Sequence, residues 1–483
     1  MGAGSPAAEM PHRGIPLVVD LDGTLLKTDL LYEAIFVLLA TRPFTVLRMP
    51  KWLAGGKAAF KAQLADAVLL DLPTLPVDEG VLTLVREAKA EGRRVYLASA
   101  SDRRYVEAFA EHTGLFDGVF ASDGRTNLAA GNKARVLVEA FGEKGFDYVG
   151  NSNADLPVWE KAHTAFVANA PTPVVRAARR CATDVRVVSD AGPHPKDYLR
   201  AMRVHQWLKN LLILVPGLAA HVFTLEALAT TLLAFLSFSL CASSVYLLND
   251  LLDLRSDRQH TTKRRRPFAS GAVPVLHGML LFPALLGASL VLGLQVSREF
   301  IAVLGVYYAL TLAYSFSLKR GLIIDVVTLA CLYGIRLVAG SVALSVPLSE
   351  WLVAFSVFVF LSLALVKRAT ELVGVINQDG SALGSRAYRV GDLPVIEMLA
   401  ASSGFVSVLV LALYINSSEV MTLYQQPKLL WLCCLVMIYW LCRVLLLTRR
   451  GQMNDDPVVF AATDRVSLLC GGLMAAALLG ATL

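Results

Sequence analysis

The sequence predicts two joined folds. Residues 1–190 read as a parallel α/β domain, and residues 191–483 as an all-helical membrane bundle. Three observations predict this. Strand-like and helix-like segments alternate up to about residue 190, the pattern of a parallel sheet covered by helices. About nine apolar runs follow, each roughly 18 to 22 residues long, the length a bilayer asks of a helix. Lys and Arg crowd alternate loops between those runs, as expected where successive loops change sides.

The strand signals come first. "GIPLVVDLDGTLL" (14–26), "RRVYLASASD" (93–102) and "FDYVGNSN" (146–153) each run from β-branched or aromatic residues into small polar ones. "DRRYVEAFAEHTG" (102–114) is one of the helical stretches between them. In such sheets the chemistry gathers at the C-terminal ends of the strands. "VVSDAGPHPKDY" (187–198) reads as the linker to the membrane half. The apolar runs after it centre near residues 215, 239, 285, 307, 333, 357, 405, 437 and 474.

Composition agrees with this division. The 483 residues are 55% hydrophobic and only 17% charged, with a mean hydropathy of +0.55, unusual for a soluble enzyme and ordinary for a chain that is partly membrane protein. The net charge of +6 comes from cations flanking the apolar runs, so no nucleic-acid partner is indicated. The basic loops include "LRAMRVHQWLKN", "SLKRG" and "TRRGQMNDDP". They place the N-terminal half in the cytoplasm and, with an odd helix count, the C-terminus outside an inner or plasma membrane. Seven cysteines form no CxxC pair or Cys/His cluster, so neither a disulfide framework nor a zinc site is expected. "MGAGSPAAEMPHRG" lacks an apolar stretch and does not read as a signal peptide.

Two places carry chemistry. Asp20 and Asp22 stand two apart where the first strand ends, so both face one pocket. A pair of carboxylates there suits phosphoryl transfer through a phospho-aspartate. Such a site also needs a hydroxyl for the phosphate, a lysine to neutralise it and a distal acid for Mg²⁺. Ser99 or Ser101, Lys133 and Asp155 fill those places in order. The second place is "NDLLDLRSDRQHTTKRRRPFASG" (249–271). Asp250, Asp253 and Asp257 are spaced i, i+3, i+7 and share one helical face, so a cation is expected between them. Acids at the mouth of a membrane helix are costly and functional by default. Mg²⁺ bridging them to a diphosphate, with Lys263 and Arg266 on the phosphates, explains the spacing. Lys209 reads as a phosphate contact or an anchor that snorkels to the interface. Tyr314, Lys319 and Arg336 are weaker candidates, and Asp325 is the expected partner of Arg336.

The first set of motifs resembles the haloacid dehalogenase superfamily of phosphatases, over residues 14 to 190. The resemblance implies a Rossmann-like domain with Asp20 as nucleophile, Asp22 as acid/base and Mg²⁺ held by Asp20, Asp22, Asn151 and Asp155. The roughly 65 residues between the first two motifs would be a helical cap. The family's last motif usually begins Gly-Asp, and here it reads Gly150-Asn151.

Asn249-Asp250-x-x-Asp253-x-x-x-Asp257 resembles the first aspartate-rich motif of the UbiA superfamily of membrane prenyltransferases, over residues 197 to 483. That resemblance implies a bundle of nine transmembrane helices. The family's second aspartate motif has no clean copy. Lys367-Arg368-x-x-Glu371 stands in the corresponding loop, with Asp379 and Asp392 further on, so Glu371 becomes the candidate second metal ligand. "RVHQWLKN", which holds Lys209 and Asn210, "HTTKRRRPFASG", "YSFSLKR" and "LVKRATEL" look most like the decaprenyl-phosphate phosphoribosyltransferase branch. The branch implies a polyprenyl phosphate and phosphoribosyl diphosphate as substrates, met by Lys209, Asn210, Asn249, Lys263, Arg266, Tyr314, Lys319, Arg336, Lys367 and Arg368. It suggests a bifunctional enzyme whose hydrolase half dephosphorylates the lipid-linked product. The alternatives are prenylation of a small aromatic acceptor and a lipid transporter with a regulatory domain. Homo-oligomerisation is left open.

Overall fold

The computed structural model describes residues 14–189, 192–376, 387–417, 420, 424–453 and 456–482. The described chain forms two compact units. One comprises the described residues up to 202 and those of 246–282, the other the described residues of 203–245 and from 283 onward.

The first unit is built on a six-stranded sheet in the order β3-β2-β1-β4-β5-β6. The strands are β1 (Leu17–Val19), β2 (Val95–Asp102), β3 (Gly118–Ser122), β4 (Asp147–Gly150), β5 (Thr164–Ala168) and β6 (Asp184–Ser189), and every pairing is parallel. β1 is central, with Leu17 in register with Val95 on one side and Asp147 on the other. Its three residues are wholly buried but divide between two cores. Leu17 and Val19 join one apolar cluster and Val18 the other, since successive side chains point to opposite faces. Both faces of the sheet are therefore covered, as a parallel sheet requires. β2 extends through Asp102, so Ser99 and Ser101 lie inside the strand and not after it.

Between β1 and β2 the chain forms the helices Leu30–Thr41, Met49–Ala54, Lys57–Ala67 and Glu79–Ala90. Asp29 caps the first of them by accepting from the Leu31 amide, and Arg42-Pro43 ends it, since a residue before proline is driven out of the helical region. The unit also contains the end of the long helix Leu225–Leu252, the short helix Leu254–Gln259 and the turn Lys263–Arg265.

Among the described residues, eight helices are long and apolar enough to cross a membrane: Leu225–Leu252, Val275–Val296, Arg298–Phe316, Ile324–Leu344, Glu350–Ile376, Val390–Ile415, Pro427–Arg449 and Arg465–Thr482. The protein is an integral membrane protein. The expected ninth, centred near residue 215, is instead a 3₁₀ stretch, Val204–Leu214, followed by the five-residue helix Val215–Ala219. Pro216 has no amide to carry an α-helical ladder back into the 3₁₀ stretch before it. Gly340 lets the backbone of Ile213 come so near that a Cβ would stand 2.0 Å from its carbonyl oxygen. Within the second unit, Ser237 and Ser289 each donate to the other's backbone carbonyl at 2.7 Å. Small hydroxyl residues of this kind let membrane helices approach closely.

Candidate active sites

The end of β1 delivers Asp20 into a buried polar cluster. Lys133 Nζ donates to Asp20 Oδ1 at 2.7 Å and to the Tyr148 hydroxyl at 2.8 Å. The Tyr148 hydroxyl in turn donates to Asp155 Oδ1 at 2.8 Å. Thr24 donates to the second Asp20 oxygen at 3.1 Å. Burial lifts the Asp20 carboxyl to about 7 against the opposing pull of Lys133. Burial works to lower Lys133, and the charges of Asp20 and Asp155 outweigh it, so its ammonium is held above the ordinary range.

Asp22 is held differently. Its Oδ2 accepts from the hydroxyls of Ser99 at 2.8 Å and Ser101 at 2.7 Å, and its Oδ1 from the Leu30 amide at 2.9 Å. The two serines expected to hold a phosphate thus orient Asp22 in this state. Asp155 also departs from its expected role as a metal ligand. Its Oδ2 accepts from the amides of Asn151 and Ser152 and from the Ser152 hydroxyl, and its Oδ1 faces Tyr148. With both oxygens filled it anchors the turn after β4. That turn sets the Asn151 amide against Gly23, where a Cβ would lie 2.3 Å from Asn151 Nδ2 and where φ is +73°. Only glycine meets both demands.

The cap sends one cation toward this pocket. Lys61 Nζ donates to the Ala100 carbonyl at 2.6 Å and to Asn127 Oδ1 at 3.2 Å. Burial lowers its pKa, with Asp22 and Asp29 opposing. Burial and the charge of Asp22 raise Asp29 to about 7. Sequence reasoning missed Lys61, Asp29 and Tyr148. The signal for Lys61 was present, because Lys57 and Lys61 stand four apart on one short cap helix.

The acid trio lies where helix Leu225–Leu252 runs into helix Leu254–Gln259. The Asp253 amide still meets the Asn249 carbonyl and the Asp257 amide the Asp253 carbonyl, but Asp253 itself leaves the helical region at φ −92° and ψ 7°, so the trio spans two helices and not one face of a single helix as expected. Asp250 and Asp257 are buried, and Asp253 is half-buried between them. Arg266, expected on the substrate's phosphates, instead stands between the acids, its Nη1 donating to Asp250 at 3.1 Å and to Asp257 at 2.7 Å. Burial raises Asp257 to about 6, with Arg266 pulling the other way. Lys263 is exposed on its turn.

One residue beyond Asp257, Arg258 makes a fork-to-fork pair with Glu33 of helix Leu30–Thr41, at 2.8 and 2.6 Å. Both side chains are buried. Arg258 also donates to the Ala269 carbonyl, and Thr28 donates to the same Glu33. Two parallel charge-assisted bonds are among the strongest polar contacts a protein makes.

The second unit holds its own charge network. Arg368 donates to Asp325 at 2.5 Å, Glu371 at 2.6 Å and the Tyr314 hydroxyl at 2.9 Å, and Tyr388 donates to Asp325. Asp325 therefore pairs with Arg368, not with Arg336 as expected. Arg336 instead donates to Asn210 Oδ1 at 2.8 Å and packs on the rings of Phe238, Tyr307 and Tyr333. Aromatic faces supply what a carboxylate would have. Lys209 does not snorkel. It is buried in a salt bridge with Asp456, with Lys367 3.9 Å from the same carboxylate. Glu371 is tied to Arg368. Asn249 and Lys319 are half-buried, each next to a motif residue. Asp379 lies outside the described residues, and Asp392 begins helix Leu393–Ile415.

Among the described residues, no group of three or more His, Cys, Asp or Glu is placed to hold a metal ion. The donors at both acid sites are nonetheless hard oxygens only: Asp20 with the Asn151 amide carbonyl, and Asp250 with Asp253. One or two carboxylates completed by water and substrate phosphates is the usual way Mg²⁺ is held, so the residues present fit that ion.

Residues 210–469 match the family model "UbiA prenyltransferase family", and residues 17–160 match "haloacid dehalogenase-like hydrolase". "Uncharacterized protein y4nM" of Sinorhizobium fredii is 38% identical over 471 residues, covering 96% of this chain and 90% of that protein. Decaprenyl-phosphate phosphoribosyltransferase of Mycolicibacterium smegmatis is 40% identical over 191 residues, covering 38% of this chain and 60% of that protein. A solved UbiA homolog from Archaeoglobus fulgidus, bound to GPP and Mg²⁺, aligns with 58% of this chain and 99% of its own, at 16% identity and a TM-score of 0.45. The chain is an enzyme that belongs to the UbiA prenyltransferase family and carries a haloacid dehalogenase-like hydrolase segment ahead of its membrane helices.

Proposed function

We propose that the membrane half joins a polyprenyl phosphate to the phosphoribosyl group of phosphoribosyl diphosphate, and that the hydrolase half removes the phosphate from the lipid-linked product. The observation that carries this is Asp250 and Asp257 converging on Arg266, in a chain 40% identical over 191 residues to a decaprenyl-phosphate phosphoribosyltransferase. Acids at the helix junction and a guanidinium from the turn that follows make a seat for a diphosphate. Phosphoribosyl transfer leaves a phosphate monoester on the lipid, which gives the fused hydrolase a substrate. Prenylation of an aromatic acceptor leaves only diphosphate.

Asp250 and Asp253, with Asp257 next along the chain, would hold Mg²⁺, which when bound would supply neutralising charge for a diphosphate leaving group. Arg266 and Lys263 meet phosphate oxygens, and Asn249 lines the same turn. In the hydrolase pocket Asp20 attacks phosphorus. Asp22, steered by Ser99 and Ser101, protonates the leaving oxygen and then activates water. Lys133 offsets the negative charge that gathers around Asp20. Both acid sites face the cytoplasm, following the distribution of Lys and Arg.

Membranes containing the protein, supplied with radiolabelled phosphoribosyl diphosphate and polyprenyl phosphate, are expected to put label into the lipid extract. No lipid-borne label, together with prenylation of an aromatic acceptor from a polyprenyl diphosphate, would favour the other branch.

A further inference from the structure

The hydrolase cap carries a surface that its chemistry leaves unused. From Ala34 to Ala65 the chain has five cations, Arg42, Arg48, Lys51, Lys57 and Lys61, and no Asp or Glu. Within it, the 3₁₀ turn Pro43–Arg48 and the helix Met49–Ala54 are attached on one side only, where Met49 and Trp52 pack against the apolar core. The same short segment leaves Phe44, Leu47 and Leu53 with 85, 77 and 54% of their surface exposed. Arg42, Arg48, Lys51 and Lys57 are exposed around them.

We infer that this face of the cap docks on an anionic bilayer surface, with Phe44, Leu47 and Leu53 inserted among the acyl chains and the four cations on lipid phosphates. Large apolar side chains exposed together mark an interaction site. The unbroken positive charge around them suits a lipid headgroup layer better than the mixed rim of a protein interface. The occupant is also always at hand, because the same chain crosses a membrane. The cap segment that bears this face continues into helix Lys57–Ala67, which carries Lys61 to the Ala100 carbonyl beside Asp22. Seating the cap in the headgroup layer would bring the hydrolase pocket to its substrate's depth without the lipid leaving the bilayer.

The test uses the full chain in nanodiscs, with a photoreactive phenylalanine analogue replacing Phe44 or Leu47, and Arg180 on helix Thr172–Cys181 as the exposed control. Illumination followed by mass spectrometry is expected to find phospholipid adducts at 44 and 47 and not at 180. Each cation on an anionic surface is worth roughly fivefold in partitioning. Replacing Arg48 and Lys51 together by Gln should therefore cut the lipid adduct by about tenfold or more in discs containing phosphatidylglycerol. Adducts at 44 and 47 to a second copy, to the chain's own membrane helices, or to nothing would overturn the inference. The readout needs neither catalytic activity, so it is independent of the reaction proposed above.

Discussion

The two acid sites balance their charge in opposite ways. In the hydrolase pocket, Asp20 is met by Lys133, which lies 113 residues away in sequence. In the membrane motif, Asp250 and Asp257 are met by Arg266, 16 and 9 residues away. The first balance exists only when β1 and helix Gly131–Phe141 are assembled around the sheet. The second is written into one helix-turn segment and survives as long as that segment keeps its register. A distal pair makes catalysis a property of the fold, whereas a local pair makes it a property of the motif.

Asp20→Asn attacks the distal arrangement and should have the largest effect. Hydrolysis is expected to fall on the order of 10⁴-fold or more, the scale of losing a nucleophile, while transfer persists. A phosphorylated lipid should then accumulate in extracts resolved by chromatography. Unchanged yields of dephosphorylated lipid would remove Asp20 from the chemistry.

Glu33→Gln tests whether the motif is as self-sufficient as its local balance suggests. It leaves the buried Arg258 guanidinium without its carboxylate, a change that costs about 3–5 kcal/mol where buried pairs are broken. The thermal midpoint of the detergent-solubilised chain should fall accordingly. The double replacement Glu33→Leu with Arg258→Met should recover most of the loss. If the single change is silent, the pair contributes nothing and the local view is complete.

Asp250→Ala attacks the local balance directly. Transfer should fall by roughly a hundredfold or more, the scale of losing a central electrostatic contact, and hydrolysis of a soluble aryl phosphate should be unaffected. Transfer by the parent should also stop in excess chelator and return with Mg²⁺. Full activity in chelator would exclude the ion.

Asn151→Asp should have the smallest effect, and a favourable one. It adds one negative charge where the turn after β4 meets Gly23, and the Mg²⁺ concentration giving half-maximal hydrolysis should drop about tenfold. Reporter fusions refine the membrane half separately. Both ends on one side would fit eight crossings, and opposite ends would mean that Val204–Ala219 also crosses.

How much could be read in advance follows the same division. The acid trio stood out because it sits in a short run of dense charge, but Arg266, expected on phosphates, was not foreseen as its partner. Asp20 and Asp22 stood out because they directly follow the short strand β1. Partners from remote elements did not. Asp456 belongs to a loop that reads as basic, and it pairs with Lys209 from 247 residues away. Arg336 seemed to need Asp325, an acid on its own helix, but Arg368 of helix Glu350–Ile376 takes that carboxylate. The stretch near residue 215 has the apolar content of a membrane helix, and its backbone is decided by Pro216, Gly217 and the approach of Gly340.

The Glu33–Arg258 pair also bears on how such a chain can evolve. Each residue is hazardous alone, because either one leaves a buried charge stranded when its counterpart is missing. Without the hydrolase segment this carboxylate would be missing from beside Arg258, and without the membrane half the guanidinium would be missing from beside Glu33. Gain and loss of the two should therefore travel together through related sequences, and a lineage that splits the reading frame between them must change both residues at once. The pair acts as a ratchet on the fusion: simple to keep, awkward to undo, and visible in sequence as two positions, 225 residues apart, that change in step.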